Sequence, residues 1–366
     1  MGSRPARQEQ RGSPLRAVKA LRRTSLLDCM KIRRSEPCYF QLLDTSMLNT
    51  PPPEALACAI CGNRHDNRTH LAREMMFGLR DQFRYLECGH CRCVHLIDLP
   101  QDMSKYYPEN YYSFAAAGGL EAIIEDRWAA YAHGKLSLTG WLADLLLGPH
   151  VTMTAIRRAR IPLDARVLDV GCGAGWLIRS MKRFGYQNVS GIDPYIKSDM
   201  RGSDGVMILK RSLKEMTGEF DLVMFHHSFE HIADQAGALK ETRRLLRTAG
   251  RVLIRVPIAD SFAWKHYSVN WIHLDAPRHL FLHSPMSLSL LAEQCGLHVS
   301  KLTYEGNASQ FIGSERYAKD IALVDQHKGG ALRRLQDLWL ARRYRTRAEE
   351  LNRNAEGDWG CFELQT

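Results

Sequence analysis

From residue 161 onward, buried strand patterns alternate with helix patterns, and this alternation limits the chain to a small set of folds. The predicted strands are 165–171, 188–194, 205–210, 220–226 and 251–257. Helices are predicted between them, at 175–185 and 233–250. Strands joined through helices lie parallel, with helices on both faces of the sheet. The sequence therefore predicts an α/β fold with a Rossmann-like, doubly wound, mostly parallel sheet.

The segment after residue 257 extends this pattern with one helix and two strands. Ser284 and Pro285 are typical of a helix start. The two strands are predicted at 298–304 and 359–364, the last of them antiparallel. The intervening residues, 307–357, include a basic helical stretch, so we interpret them as an insertion in a domain that runs from residue 161 to residue 366.

The net charge of +10 is concentrated at the amino terminus. Residues 1–34 hold ten Lys and Arg residues against two acidic ones, so the remaining chain carries only +2. We expect this basic leader, residues 1–57, to be disordered, or to be an upstream extension of the reading frame with the true start at Met30 or Met47. No apolar stretch follows it as a secretory signal requires, and no apolar run reaches the ~18 residues of a membrane span. We therefore expect a cytoplasmic protein.

Four of the ten cysteines form two Cys-x-x-Cys pairs that are separated by 26 residues. The pairs are Cys58 with Cys61 and Cys88 with Cys91. Each pair can direct two thiolates at one ion, and two pairs complete a tetrahedral zinc site without an open position. We predict a small zinc-ribbon-like module at 58–97 that folds around structural Zn²⁺. His90, Cys93 or His95 is an alternative fourth ligand, and unrelated free cysteines are the other interpretation.

The turn after the first strand of the α/β region, in the segment VLDVGCGAGWL, points to a ligand. Glycines at such a turn allow a ligand to approach the backbone, and here they are Gly171, Gly173 and Gly175. A dinucleotide fingerprint requires a small residue where this chain has Trp176. Asp169 would also repel a pyrophosphate, whereas it would attract a cation.

A ligand with an ammonium group, a sulfonium and one ribose, but no phosphate, fits this turn. S-adenosylmethionine has these groups. Asp193 ends the second strand, 24 residues after Asp169, where it can accept hydrogen bonds from both ribose hydroxyls. We therefore predict S-adenosylmethionine as the cofactor.

Four motifs together resemble the class I methyltransferases that depend on S-adenosylmethionine, over roughly the last 200 residues. The motifs are VLDVGCGAGWL, GIDP, FDLVMFHHSFEHI and LLRTAGRVLIRVP. The resemblance implies a methyltransferase in which Asp169 and the three glycines surround the methionine part and Asp193 holds the ribose. It also implies that Ser212 and Leu213 lie beside the adenine.

Three flanking segments, together with the cysteine ribbon, are similar to bacterial methyltransferases found with polysaccharide and deoxysugar biosynthesis. The segments are YYPENYYSF (106–114), WIHLDAPRHLFLHSP (271–285) and NASQFIGSERYAKDIAL (307–323). Members of that family commonly act on sugars or related small metabolites. The resemblance therefore implies methylation of a small-molecule acceptor of the sugar or sugar-nucleotide type, in polysaccharide or secondary metabolism.

Histidines follow the predicted strand 220–226, in the segment HHSFEHI. Methyl transfer requires a positioned nucleophile that loses its proton, and histidine is the natural general base near neutral pH. We predict His227 or His231 as the base. Glu230 is its predicted orienting partner, and His226 is predicted beside the cofactor. Two alternatives stay open: a structural role, or a divalent-ion site completed by His273, Asp275, His279 or His283.

Residues 98–160 are predicted to form an aromatic and helical linker that caps the substrate. Tyrosines in this linker could offer a sugar stacking faces and hydroxyl groups, or could pack the linker onto the core. They are Tyr106, Tyr107, Tyr111 and Tyr112. From the loop after the fifth strand, His273, Arg278 and His279 are predicted to contact the substrate.

Two other functions agree with parts of the sequence. An RNA methyltransferase with an amino-terminal zinc module would use the basic leader and the arginines between residues 333 and 347 for phosphate contacts. Those arginines fall on a predicted helix, where a solvated face is the usual explanation, so we do not expect a nucleic-acid partner. A noncatalytic binding protein is least favoured, because the acidic and glycine positions are intact.

Overall fold

The computed structural model describes residues 56–108, 119–326 and 331–366. The predicted leader therefore lies outside the described residues except for Leu56 and Ala57, and so do Tyr111 and Tyr112. Among the helices within these ranges, none is both long enough and apolar enough to cross a membrane.

The described strands, in chain order, are β1 (Arg68–Arg73), β2 (Gln82–Glu87), β3 (Val94–Leu96), β4 (Arg166–Val170), β5 (Asn188–Ile192), β6 (Met200–Arg201), β7 (Met207–Leu209), β8 (Phe220–His226), β9 (Leu246–Pro257), β10 (Phe281–Leu282), β11 (His298–Tyr304) and β12 (Trp359–Gln365). The described α-helices are α1 (Gly119–Ala132), α2 (Leu138–Leu147), α3 (Val151–Arg158), α4 (Trp176–Phe184), α5 (Gln235–Leu245), α6 (Phe262–Tyr267), α7 (Pro285–Gln294), α8 (Ser309–Ala318), α9 (Leu323–Gln326) and α10 (Ala331–Arg353).

The larger sheet has the strand order β11-β12-β9-β8-β4-β5-β7-β6. Its central strands, from β9 to β7, are parallel, whereas β12 is antiparallel to both of its neighbours. This confirms the predicted Rossmann-like sheet with an antiparallel last strand. The strand order reverses between β4 and β8, and doubly wound sheets bind ligands beyond the carboxyl ends of the strands at such a point. We call this end of the sheet the ligand edge.

Local signals set the ends of several helices. Ser284 caps α7 by accepting a hydrogen bond from the backbone N–H of Ser287, and Pro285 occupies the first position. Helix α4 is bounded by Gly175 and Gly185, both with positive φ, which glycine adopts without a steric penalty. These helix ends lie within one residue of the predicted ones.

The boundary between α5 and β9 corrects the predicted helix, which extended to residue 250. Helix α5 ends at Leu245, and Leu246 already pairs with Phe220 of β8. A β-carbon on Gly250 would lie 3.0 Å from the carbonyl oxygen of Phe220. Gly250 therefore allows the two strands to approach at the irregular start of β9, and it does not end a helix.

The smaller sheet has the order β1-β2-β3-β10. Its last strand comes from the methyltransferase-like part of the chain, because Phe281 pairs with His95 and Leu282 pairs with Val94. The hydroxyl of Ser284 also donates a hydrogen bond to the carbonyl oxygen of Cys91 at 2.5 Å. The cysteine-bearing segment and the loop before α7 thus share one sheet and one hydrogen-bond network.

Helices α8, α9 and α10 lie between β11 and β12 in the chain. Phe311 of α8 stacks on Tyr344 of α10, with ring centroids 4.7 Å apart. Asn352 of α10 exchanges two hydrogen bonds of 2.8 Å with the backbone of Gly306. These contacts hold α10 against the end of β11, which is part of the ligand edge.

Candidate functional site

The first candidate site is the cysteine cluster, formed by Cys58, Cys61, Cys88 and Cys91. Their sulfur atoms all lie within 4.8 Å of one another. Two opposite pairs, Cys58 with Cys91 and Cys61 with Cys88, are separated by 3.6 Å. Hydrogen bonding with Cys91 lowers the pKa of Cys58, which favours the thiolate that binds metal. The donor set fits a closed tetrahedral zinc site.

The neighbouring candidate ligands have other positions. His90 is exposed. Burial raises the pKa of Cys93, and the Nε2 atom of His95 accepts a hydrogen bond from the backbone of Ala59 at 3.3 Å. Cys91 therefore completes the cysteine cluster, and neither histidine nor Cys93 is needed as the fourth ligand.

The glycine turn at the end of β4 packs closely against the residue that follows His227. A β-carbon on Gly171 would lie 2.5 Å from the β-carbon of Ser228, and φ at Gly171 is 73°, so only glycine fits there. The backbone N–H of Gly173 donates a hydrogen bond to Asp193 at 3.0 Å. The turn thus links the ends of β4, β5 and β8 at the ligand edge.

Two buried carboxyl groups lie behind this turn. Asp169 is 3% exposed and Asp193 is 6% exposed. Burial, together with the charge of Asp193, raises the pKa of Asp169 to about 8. Asp193 is held differently, because the backbone N–H groups of Gly173 and Tyr195 donate hydrogen bonds to its two oxygens. A cationic ligand beside Asp169 would restore the ionised form of that residue.

Three other residues predicted to bind the cofactor, Gly175, Leu213 and Ser212, contact other parts of the protein. Gly175 packs against the sheet, since a β-carbon there would lie 2.2 Å from Ile208; its predicted contact with a ligand stays a prediction. Leu213 is buried in the apolar core. The hydroxyl of Ser212 donates a hydrogen bond to Glu215 at 2.6 Å, which begins the short turn after β7.

Arg255 is a charged residue within the buried strand β9 and is only 2% exposed. Its guanidinium donates to Glu305 at 2.8 Å and to the hydroxyl of Thr152 at 2.9 Å. The same group lies 3.4 Å from a ring nitrogen of His226 and from one of His227. Since a guanidinium only donates, these two nitrogens act as acceptors.

His227 combines a strained backbone with an accessible side chain. Its φ is 55°, a conformation that a non-glycine residue adopts at a cost. The side chain is exposed, although Phe225, Ser228 and Arg255 around it are buried. Desolvation by the surrounding protein, together with the charge of Arg255, holds the pKa of His227 well below its ordinary value. His227 is therefore a neutral ring at the ligand edge, packed edge-on to Trp359 at 4.3 Å.

Glu230, His231 and His279 form a second cluster, which we call the Glu–His cluster. Each offers one ligand atom, and the three atoms lie within 4.8 Å of one another. Glu230 is fully buried, and neither of its oxygens has a hydrogen-bond partner. Burial raises the pKa of Glu230 to about 8. Glu230 therefore does not orient His227 or His231 through a hydrogen bond, in contrast to the prediction.

Backbone carbonyls orient the two histidines of this cluster. His231 Nδ1 lies 2.8 Å from the carbonyl oxygen of Arg278, and His279 Nδ1 lies 2.8 Å from that of His273. Burial lowers the pKa of His231, although nearby backbone carbonyls oppose this effect. Tyr107 Oη also approaches His231 Nδ1, at 3.1 Å. The predicted substrate residues Tyr107 and His279 thus both lie next to His231.

Two other predicted substrate residues are structural instead. Arg278 is fully buried and bonded to Asp275 and Glu74, at 2.6 and 2.8 Å. Tyr106 is 6% exposed, packs on Phe83 and donates its hydroxyl to Asp81. Their polar groups are committed to the protein, so we correct the prediction that they contact a substrate.

His273 belongs to a separate polar group at the ligand edge. Its Nδ1 atom lies 2.8 Å from Asp358, a fully buried carboxylate that also accepts a hydrogen bond from Trp271. Its other nitrogen is 3.3 Å from the indole N–H of Trp359 and 3.5 Å from the hydroxyl of Ser309. His283 lies elsewhere, fully buried between Ser287 and Gln235, and cannot join a metal site here.

A cavity of about 900 Å³ lies at this side of the ligand edge. Its lining includes Thr152 and Glu305, which accept hydrogen bonds from Arg255, and Ser309, which contacts His273. Its lining also includes the amides of Asn307 and Asn352. Hydroxyl, amide and carboxylate groups therefore converge on one space.

Sequence reasoning missed Arg255, Glu305 and Asp358. One signal was present for Arg255, since it interrupts the otherwise apolar segment VLIRVP of a buried parallel strand, where an unpaired charge is costly. Glu305 and Asp358 lie just beyond predicted strands and have no comparable local signal. Their partners are 50 and 85 residues away along the chain.

A family model described as "Methyltransferase domain" matches residues 149–302. These residues run from α3 to β11 and include the glycine turn and the Glu–His cluster. The matched region therefore contains most of the ligand edge.

Among similar curated proteins are two named "Ubiquinone biosynthesis O-methyltransferase". The one from Xanthomonas oryzae pv. oryzae is 30% identical over 174 residues, which cover 40% of this chain and 68% of that protein. The one from Pseudomonas aeruginosa is 34% identical over 113 residues, which cover 27% of this chain and 48% of that protein. The chain thus spans between about half and two thirds of these relatives.

Similar solved structures include an S-adenosylmethionine-dependent methyltransferase from Mesorhizobium loti, at 16% identity and a TM-score of 0.36, covering 57% of this chain and 95% of that one. Another is an S-adenosylmethionine-dependent methyltransferase from Archaeoglobus fulgidus, at 18% identity and a TM-score of 0.37, covering 63% of this chain and all of that one.

Proposed function

Because the chain belongs to the S-adenosylmethionine-dependent methyltransferases, we propose that its acceptor is a small polar metabolite of the sugar or sugar-nucleotide type. The observation that carries this proposal is the cavity at the ligand edge, in which hydroxyl, amide and carboxylate groups lie within a mostly apolar lining. A polyhydroxylated acceptor needs such paired donors and acceptors. The sequence similarity of the flanking segments to polysaccharide-associated methyltransferases supports the same acceptor class.

S-adenosylmethionine supplies an electrophilic methyl group when it is bound. Asp169 is the counter-charge we propose for the ammonium of this cofactor, because it is a buried carboxyl group at the end of β4, directly before the glycine turn. Asp193 keeps acceptor capacity for the ribose hydroxyls, since a carboxylate has about four lone-pair positions and the backbone uses two here. Ser212 and Leu213 are the proposed neighbours of the adenine.

His227 is the residue we propose as the general base. It is neutral, accessible and placed directly after β8, beside the turn that holds the cofactor's methionine part. Arg255 donates to Nε2 of His227 over a long 3.4 Å contact, which the acceptor hydroxyl would replace as this nitrogen takes up its proton. His231 is the second candidate: its Nδ1–H faces the carbonyl oxygen of Arg278, which leaves the lone pair on Nε2, but its side chain is less exposed than that of His227.

His273 and Ser309 are proposed to bind the acceptor. Asp358 holds His273 in one tautomer through a 2.8 Å contact, as a carboxylate does for the histidine of a catalytic triad. The second nitrogen of the ring then faces Ser309, whose hydroxyl borders the cavity. This pair can therefore orient an acceptor hydroxyl in the cavity.

The cysteine cluster is proposed to hold one structural zinc ion. Its four sulfurs leave no open coordination position, so the ion would take no part in methyl transfer. The ribbon also supplies the strand that pairs with β10. Zinc would therefore stabilise the loop that carries His279.

A phenolic acceptor is the second candidate, because the curated relatives are named for ubiquinone biosynthesis. RNA is not favoured, since arginines on α10 are engaged within the chain. Arg345 donates to the carbonyl oxygens of Leu145 and Leu146, and Arg347 pairs with Glu350. Helix α10 therefore offers fewer free cations than its sequence suggests.

An acceptor panel tests this proposal. The purified full chain is incubated with S-adenosylmethionine and nucleotide sugars, catechol-type phenols or unmodified ribosomal RNA, and S-adenosylhomocysteine is quantified. We expect turnover with a nucleotide sugar. Ser309→Ala should raise KM for that acceptor several-fold with little change in KM for the cofactor, whereas Ser300→Ala, on the exposed face of β11, should change neither. Turnover with phenols alone would establish the second candidate, and turnover with RNA alone would refute both.

A further inference from the structure

The Glu–His cluster has a polar group without any partner inside the protein. Glu230 is fully buried, and both of its carboxylate oxygens lack a hydrogen-bond donor. A buried carboxylate in this state is costly. The nearest candidate partner, Nε2 of His279, is 3.9 Å from a Glu230 oxygen, which is too far for a hydrogen bond and leaves a gap between them.

The histidines around this gap are oriented as metal ligands usually are. His279 Nδ1 donates its hydrogen to the carbonyl oxygen of His273, so the neutral ring directs the lone pair of Nε2 toward Glu230. His231 Nδ1 is fixed by the carbonyl oxygen of Arg278 in the same way. Metal-ligating histidines typically donate their second ring N–H to such an acceptor, which fixes the tautomer and the orientation of the ring.

The charges around the cluster also favour a cation. Glu230, Asp275 and Glu74 carry three negative charges when ionised, and the buried side chain of Arg278, bonded to the latter two, carries one positive charge. Arg255, whose charge also acts on Glu230, is itself paired with Glu305. The remainder, when Glu230 is ionised, is two negative charges in a buried site. A divalent ion would neutralise this remainder, and Asp275 is close enough to assist, at 3.9 Å from His279 Nε2.

We propose that Glu230, His231 and His279 bind a divalent transition-metal ion such as Zn²⁺, at a site separate from the cysteine cluster. The donor set is one carboxylate and two imidazoles, which is a common set for zinc sites that keep an open position. Zinc at about 2.1 Å from each ligand holds tetrahedral ligand atoms about 3.4 Å apart. The three ligand atoms, now within 4.8 Å, would therefore move together by about 1 Å.

This site would give Glu230 and His231 a role other than acid–base catalysis. Both would be committed to the ion, and His227 would remain the base beside them. The open position would face an oxygen ligand such as water or an acceptor hydroxyl, which a divalent ion polarises.

Cobalt binding tests the site without an activity assay. The full chain is purified with zinc and dialysed against a mild chelator until one Zn²⁺ per chain remains, so that the cysteine cluster is filled and the Glu–His cluster is empty. It is then titrated with Co²⁺ under equilibrium dialysis and absorption spectroscopy. We expect one additional Co²⁺ per chain with d–d bands and without a thiolate-to-metal charge-transfer band. No retained Co²⁺, or a spectrum with the thiolate band, would overturn the proposal.

Two substitutions assign the ligands. Glu230→Gln and His279→Ala should each weaken Co²⁺ binding at least about tenfold, while the one Zn²⁺ per chain that survives the chelator step stays bound to the cysteine cluster. Glu293→Gln and His298→Ala change exposed residues of the same types and should leave Co²⁺ affinity unchanged. A variant that loses the zinc of the cysteine cluster is misfolded, and the Co²⁺ affinity of the other variant then decides the assignment. Unchanged affinity in a folded variant of either ligand would contradict the assignment.

Discussion

The cysteine cluster and the ligand edge are two polar regions with opposite relations to stability. In the cysteine cluster, four sulfur atoms converge and each can bind the same ion. At the ligand edge, Glu230 has no partner, Asp169 has a raised pKa and His227 has a positive φ. The first region is complete once one ion is bound, whereas the second keeps groups that are satisfied only by ligands.

This difference separates structural residues from functional ones. A closed site that contributes to folding should be sensitive to any lost ligand. A site with unsatisfied groups costs stability in the absence of ligand, so that removing such a group should impair function more than folding. The predictions below test whether the two regions divide in this way.

The largest effect is expected for Cys61→Ser. Loss of one thiolate should abolish most zinc binding and lower solubility and the melting temperature, because the apparent binding energy of a structural zinc site, roughly 10–16 kcal/mol, contributes to folding. Elemental analysis and thermal unfolding measure both effects. Cys295→Ser is the matched control, a buried cysteine outside the cluster. A zinc-free variant with the parent's melting temperature would remove the structural role from the cysteine cluster.

A smaller but still large effect is expected for His227→Ala. Turnover should fall about 10²- to 10⁴-fold, as for a lost general base, while affinity for S-adenosylmethionine stays within about twofold. Calorimetry and S-adenosylhomocysteine production separate the two quantities. The melting temperature should not fall, because alanine has about the same backbone strain as histidine at this positive φ. His133→Ala changes a histidine far from the site and should leave turnover intact. If His227→Ala turns over like the parent, His227 is structural.

The smallest effect concerns pH and Asp169. The native pKa of about 8 lies above the unfolded value near 4, so the stability that this group contributes is full at low pH and is lost as pH rises toward 8. Affinity for the cationic cofactor should change in the opposite direction, rising by up to about tenfold per pH unit between pH 6 and 7.5 as Asp169 ionises.

Asp169→Asn is the control for this pH dependence. The amide does not titrate, so both slopes should flatten, and the cofactor-free protein should gain stability near pH 8. Thermal unfolding and calorimetry between pH 6 and 8 provide the comparison. Equal slopes in the parent and in Asp169→Asn would show that another group titrates.

Much of the fold could be predicted from short-range patterns. Strands β8 and β11 coincide residue for residue with the predicted 220–226 and 298–304. The start of β9 could not be predicted, because residues 246–250 are helix-like in sequence and become a strand only through pairing with β8. Tertiary pairing overrides local propensity in such segments.

Part of the candidate site could also be predicted from short-range patterns. The glycine turn and the cysteine pairs are encoded within a few residues, so their geometry follows from spacing. Tyr106 and Arg278 were assigned to the substrate because of their residue types, whereas their burial against Asp81 and Glu74 depends on distant segments.

The sequence by itself determined the sheet, the acid–glycine turn and the two cysteine pairs, because periodicity and close spacing fix these features locally. Only the tertiary structure decided which histidine is accessible, which carboxylate lacks a partner and which arginine joins the ligand edge. Arg255 meets Glu305 across 50 residues, and His273 meets Asp358 across 85. Such contacts arise from the packing of separate strands and loops, and no pattern within one segment specifies the partner.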